Sequence, residues 1–101
     1  MNCTMPYNVI ATYRRDYRRA IMLSWEDPAV NVRDYKIYLY QVTPAGVEQI
    51  YYRQIDPRYR RIFFRGLVRR GRTYRCEIDK ECFGPFADPN AVSSNDVFIL
   101  W

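Results

Sequence analysis

The sequence predicts an all-β protein: a seven-stranded antiparallel β-sandwich forming a single domain over residues 1–101. Three observations carry the prediction. Apolar and polar residues alternate with period two along most of the chain, turn-forming residues interrupt that alternation about every ten residues, and no stretch holds apolar residues at helical spacing for three turns.

In chain order, strands are expected over residues 7–13, 18–25, 34–42, 47–55, 60–65, 72–80 and 96–101. Glu26-Asp27-Pro28 stops the second strand, Thr43-Pro44-Ala45-Gly46 joins the third to the fourth, and Asp56-Pro57 ends the fourth, because proline cannot donate to a ladder. Alternation directs Ile21, Leu23 and Trp25 inward from the second strand. The third contributes Tyr35, Ile37 and Leu39, the fifth Ile62 and Phe64, and the sixth Tyr74, Cys76 and Ile78. The last run, Val97-Phe98-Ile99-Leu100-Trp101, is apolar on both faces, leaving Phe98 and Leu100 as a covered or contacting surface.

Composition narrows the function. The hydrophobic share of 49% is that of a globular domain and excludes intrinsic disorder. No apolar run reaches the length of a membrane span, and no targeting segment opens the chain, so no membrane partner is expected. There is no histidine, no CxxC and no phosphate-cradling glycine loop. The expectation is therefore no enzyme, no catalytic residues, no metal and no cofactor. The net charge is +5, and only Lys36 and Lys80 are lysines, so 14 of the 16 basic residues are arginines, set among 10 tyrosines. Arginine and tyrosine together favour a binding module.

Leu23-Ser24-Trp25-Glu26-Asp27-Pro28, then Asp34-Tyr35-Lys36-Ile37-Tyr38, then Gly66-Leu67 with Gly71 and Tyr74, resemble the fibronectin type III pattern. In that family the second-strand tryptophan packs in the core, and the tyrosine opening the sixth strand makes the tyrosine corner. Leu67 lies seven residues before Tyr74 where the family has six, so either the preceding connection has an extra residue or Val68 takes the leucine's place. A narrower resemblance lies in Asp79-Lys80-Glu81-Cys82-Phe83-Gly84-Pro85-Phe86-Ala87-Asp88-Pro89, with Asp34 to Tyr40 upstream. It is similar to the carboxy-terminal fibronectin type III domain of the MCAF (activating-transcription-factor-interacting) family. Membership would imply a non-enzymatic nuclear chromatin adaptor that supports heterochromatin formation and transcriptional repression. Such an adaptor partners a SETDB-type histone methyltransferase through other parts of its chain, and its fibronectin domain recruits a segment of another chromatin or transcription-regulator protein.

Three surfaces are candidates. Sandwich connectivity brings Arg14, Arg15, Arg18 and Arg19 of the first turn to the same end as Arg65, Arg69, Arg70 and Arg72, a pole suited to an acidic partner. Solubilising loop charge is the plain alternative for each arginine taken singly. Direct nucleic-acid binding, suggested by the Arg–Tyr mixture of residues 13–19 and 58–61, ranks below protein binding because no strand carries the aromatic pairs of a single-strand-binding sheet at a recognisable spacing, and tyrosine at strand positions is ordinary β-propensity. At the other end, Phe83 and Phe86 flank Gly84-Pro85 as partner anchors or core caps, near Asp56, Arg58 and Tyr59. The third is the outward face holding Tyr38, Tyr40, Arg75 and Glu77 beside Tyr51 or Tyr52.

Cys76 reads as a buried hydrophobe, Cys82 lies six residues on, about 20 Å away if the strand stays extended and so too far to bond it, and Cys3 is near a terminus. That unpaired set suggests a reducing compartment and a nuclear location. Asn2-Cys3-Thr4, an N-glycosylation acceptor triplet, points the other way, toward an extracellular receptor domain whose basic pole binds glycosaminoglycan or a protein ligand.

Overall fold

The computed structural model describes residues 3–16, 19–28, 31–84 and 89–100. Its seven strands are β1 (Tyr7–Arg14), β2 (Ala20–Glu26), β3 (Val32–Thr43), β4 (Gly46–Ile55), β5 (Arg61–Phe64), β6 (Thr73–Cys82) and β7 (Val92–Phe98). They form two antiparallel sheets of order β1-β2-β5 and β4-β3-β6-β7, arranged as a sandwich. Every residue expected to face inward on β2, β3, β5 and β6 is buried, each burial removing apolar surface worth about 1.5–3 kcal/mol for a large side chain. Trp25 and Tyr35 meet edge to face across the sheets, ring centroids 5.3 Å apart.

Tyr74, at the start of β6, is buried, and its hydroxyl accepts the Arg69 backbone N–H at 2.9 Å while reaching the Leu67 carbonyl at 3.5 Å. This bond pins the β5–β6 connection to the core. Val68 is buried there and Leu67 only half-buried, so Val68 fills the core position. Tyr74→Phe keeps the ring and orphans the Arg69 donor; a loss of about 1–2 kcal/mol is expected in urea unfolding. A loss below about 0.3 kcal/mol would mean the hydroxyl holds nothing.

Strand limits differ from expectation where backbone or side-chain chemistry overrides alternation. β2 begins at Ala20 rather than at residue 18, because Arg19 is left-handed at φ 56° and cannot continue a strand. Arg18 lies outside the described residues. β7 begins at Val92, four residues earlier than expected, although Ser93, Ser94, Asn95 and Asp96 carry no strand-like alternation. Their side chains bond to neighbouring strands instead. The Ser94 hydroxyl accepts the Cys76 N–H at 2.9 Å, and the Asn95 amide both accepts the Ala11 N–H and donates to the Ala11 carbonyl, each at 2.9 Å. Asn95 thereby ties the edge of β1 to β7 and closes that side of the sandwich.

One expectation is overturned. Cys3 and Cys82 form a disulfide, with Cα atoms 6.0 Å apart across a sequence separation of 79, leaving buried Cys76 as the free thiol. Spacing along the strand rules out Cys76 with Cys82, but it says nothing about a terminal segment that the fold lays beside the end of β6.

Candidate recognition surfaces

The end of the sandwich that carries the β6–β7 connection is organised by a buried ion pair. By parity Lys80 follows Tyr74, Cys76 and Ile78 on the inner face of β6, and Asp27 follows β2. Both side chains are fully buried, with Lys80 Nζ at 3.0 and 2.9 Å from the two Asp27 carboxylate oxygens. The Tyr35 hydroxyl donates to the same carboxylate at 2.7 Å, and burial together with that negative neighbour raises the Tyr35 phenol well above its usual range. Arg60 lies over the Tyr35 ring, 5.6 Å from its centroid, and reaches the Asp27 backbone carbonyl at 3.4 Å. The network clamps one sheet to the other near the end of β6, past which Phe83 is 59% exposed. Phe86 falls outside the described residues. Asp56, Arg58 and Tyr59 share this end, Arg58 pairing with Asp56 at 3.4 Å and lying over Tyr59.

On the outer face of the four-stranded sheet, Tyr40 stacks on Tyr38 at 6.1 Å, and Tyr38 meets Tyr52 of β4 at 5.1 Å. Tyr51 belongs elsewhere: its ring packs on Phe64 at 5.8 Å, toward the interior. Partial burial raises the phenols of Tyr38 and Tyr40, so both are neutral donors at physiological pH. Arg75 stands opposite Tyr40 in the ladder, but its fork is committed to Asp96, with bonds of 2.6 and 3.1 Å. The face thus presents an aromatic ladder bordered by internally paired charge.

The opposite end holds the β1–β2 and β5–β6 connections, as the register of β2 with β1 and β5 requires. Arg15, Arg19, Arg65, Arg69, Arg70 and Arg72 are exposed there. Arg14 pairs with Asp16 at 2.9 Å, Arg72 donates to Gln41 at 3.0 Å, and Arg65 lies over the Phe63 ring at 5.5 Å.

A fourth surface was not legible in the sequence. β4 and β5 are the outer strands of their sheets on the side away from Asn95, and a groove of about 360 Å³ opens between them. Arg53, Arg61 and Arg65 rim it over Ile55 and Ile62.

Burial pushes the Cys76 thiol up to about 12, only partly offset by the Ser94 hydroxyl. At pH 8 almost no thiolate forms, so Cys76 is expected to resist maleimide in the native protein and to react once unfolded. Rapid native labelling at this position would mean that the core opens at β6.

No protein-family model matches the chain, and no curated protein matches it.

Proposed function

We propose that this chain is a fibronectin type III domain acting as a protein-recognition module of a nuclear chromatin adaptor of the MCAF type. The strand orders and the Tyr74 hydroxyl at the β5–β6 connection support the domain type. The observation that carries the recognition role is Phe83: it opens the Phe-Gly-Pro-Phe-x-Asp-Pro segment and stays 59% exposed just past the end of β6, the strand whose Lys80 is held in a buried ion pair. A core cap would be covered. An exposed aromatic on a supported base is what a partner segment uses as an anchor. The partner is a short segment of another chromatin or transcription-regulator protein, while a SETDB-type methyltransferase engages other parts of the parent chain.

The test is co-precipitation from nuclear extract with the domain and with Phe83→Ala, Tyr38→Ala/Tyr40→Ala and Arg69→Glu/Arg70→Glu variants. At least one variant of unchanged melting temperature is expected to lose the principal repressor partner. Capture of no chromatin protein by the parent domain would sink the reading.

The Cys3–Cys82 disulfide and the Asn2-Cys3-Thr4 triplet favour a second reading, an extracellular domain binding a protein or a sulfated glycosaminoglycan through its arginine pole. Counting thiols in denaturant, on protein isolated from its own cells without reductant, separates the two. Three thiols support the nuclear reading, and one supports the extracellular reading.

A further inference from the structure

We propose that the groove between β4 and β5 is a strand-addition site for an extended segment of a partner protein in which acidic residues alternate with apolar ones. The inference rests on the recognition reading above and assigns it a specific edge.

The two sides of the sandwich are built differently. Between β1 and β7, Asn95 occupies the backbone N–H and C=O of Ala11 and seals the edge. Between β4 and β5 no strand pairing joins the sheets, and β5 ends the order of the three-stranded sheet. The Trp25 N–H donates to the Arg60 carbonyl at 3.0 Å, which marks that opposed pair as hydrogen-bonded. By antiparallel alternation, the N–H and C=O of Arg61 then point away from β2, toward the groove. β4 overhangs this gap. Its residues Arg53 and Tyr51 share the inward parity of Ile55, yet Arg53 is exposed and Tyr51 is 37% exposed, because the facing sheet stops at β5. The groove runs from Tyr59 to Arg65, and Tyr51 packs on Phe64 of β5 at 5.8 Å.

Charge complementarity selects the occupant. No acidic residue lines the groove, and Arg53, Arg61 and Arg65 form no ion pair among the described residues. β5 is four residues long, about 13 Å of ladder, so a segment of roughly five to seven residues suffices. Added beside β5, such a segment turns alternate side chains inward onto Ile55 and Ile62 and the others outward beside Arg61 and Arg65. Main-chain bonds supply affinity, and the arginines set sign and register.

The probe is a synthetic heptapeptide, Val-Glu-Val-Glu-Ile-Asp-Val with capped ends, titrated into isotope-labelled protein and read by amide chemical shifts. Shifts at residues 53–55 and 61–65 that saturate below about 1 mM peptide are expected. The same peptide with Lys for Glu and Asp should bind at least about tenfold more weakly, as should the acidic peptide to Arg53→Glu/Arg61→Glu protein of unchanged melting temperature. N-methylation of alternate peptide amides should abolish binding. Absence of shifts, or shifts confined to the Arg69–Arg70 end or the Tyr38–Tyr40 face, overturns the proposal. So does N-methylated peptide binding equally well, since charge alone then accounts for it. A protein that ignores the peptide but still captures its chromatin partner refutes the groove and leaves the recognition reading standing.

Discussion

Lys80→Ala is expected to destabilise the domain by about 3–5 kcal/mol, because it removes the ammonium paired with the fully buried Asp27 carboxylate. Asp27→Ala should cost as much, stranding the ammonium instead. For a domain of this size that is a fall of well over 10 °C in melting temperature. The Tyr35 hydroxyl at 2.7 Å does not compensate, since a neutral donor cannot replace a charge at zero exposure. The pair spans 53 residues and joins β6 to the end of β2, so its loss is also a loss of sheet-to-sheet registration. The decisive comparison is the double replacement Asp27→Leu/Lys80→Met, which removes both charges and should recover most of the stability lost by either single variant. Urea unfolding of the four proteins closes the cycle. Additive losses in the double variant would show that the two groups act independently, against the geometry.

Opening the Cys3–Cys82 bond is expected to cost about 4 kcal/mol, on the argument that a cross-link spanning 79 residues removes chain entropy mainly from the unfolded state. Oxidised protein, reduced protein and Cys3→Ser protein should therefore rank in stability with the first well above the other two. The hydrophobic cluster contains neither Cys3 nor Cys82, so the reduced form should keep its core and its cooperative transition. Cys76, buried on β6, should stay inert in all three. Equal stability with and without reductant would mean that the bond does not persist in solution, and would remove the main support for an extracellular setting.

Lys80 shows how far sequence reading reached. Its inward parity was available from Tyr74, Cys76 and Ile78, yet ending the strand at residue 80 turned an interior position into a terminus. Burial of a lysine is acceptable only with a partner, and nothing local marks Asp27 as that partner, since Glu26-Asp27-Pro28 reads equally well as a turn. The arginine end was legible because two connections of a known sheet order must share a pole. The β4–β5 groove was not, because alternation assigns a residue to a face but cannot say where the opposing sheet ends. Arg53 therefore looks like an ordinary strand residue until β4 is seen to overhang β5.

What the sequence determined by itself is the class of fold, the strands with regular alternation and the identity of the core, because a period of two commits each side chain to one face through chemistry local to the chain. Tertiary structure decided the contacts between distant segments, Cys3 with Cys82, Asp27 with Lys80 and Asn95 with Ala11, and it set Arg53 and Arg61 on the rim of one groove. Each depends on how two sheets are offset in space. Local periodicity leaves that offset open, and the packing of side chains between the sheets fixes it.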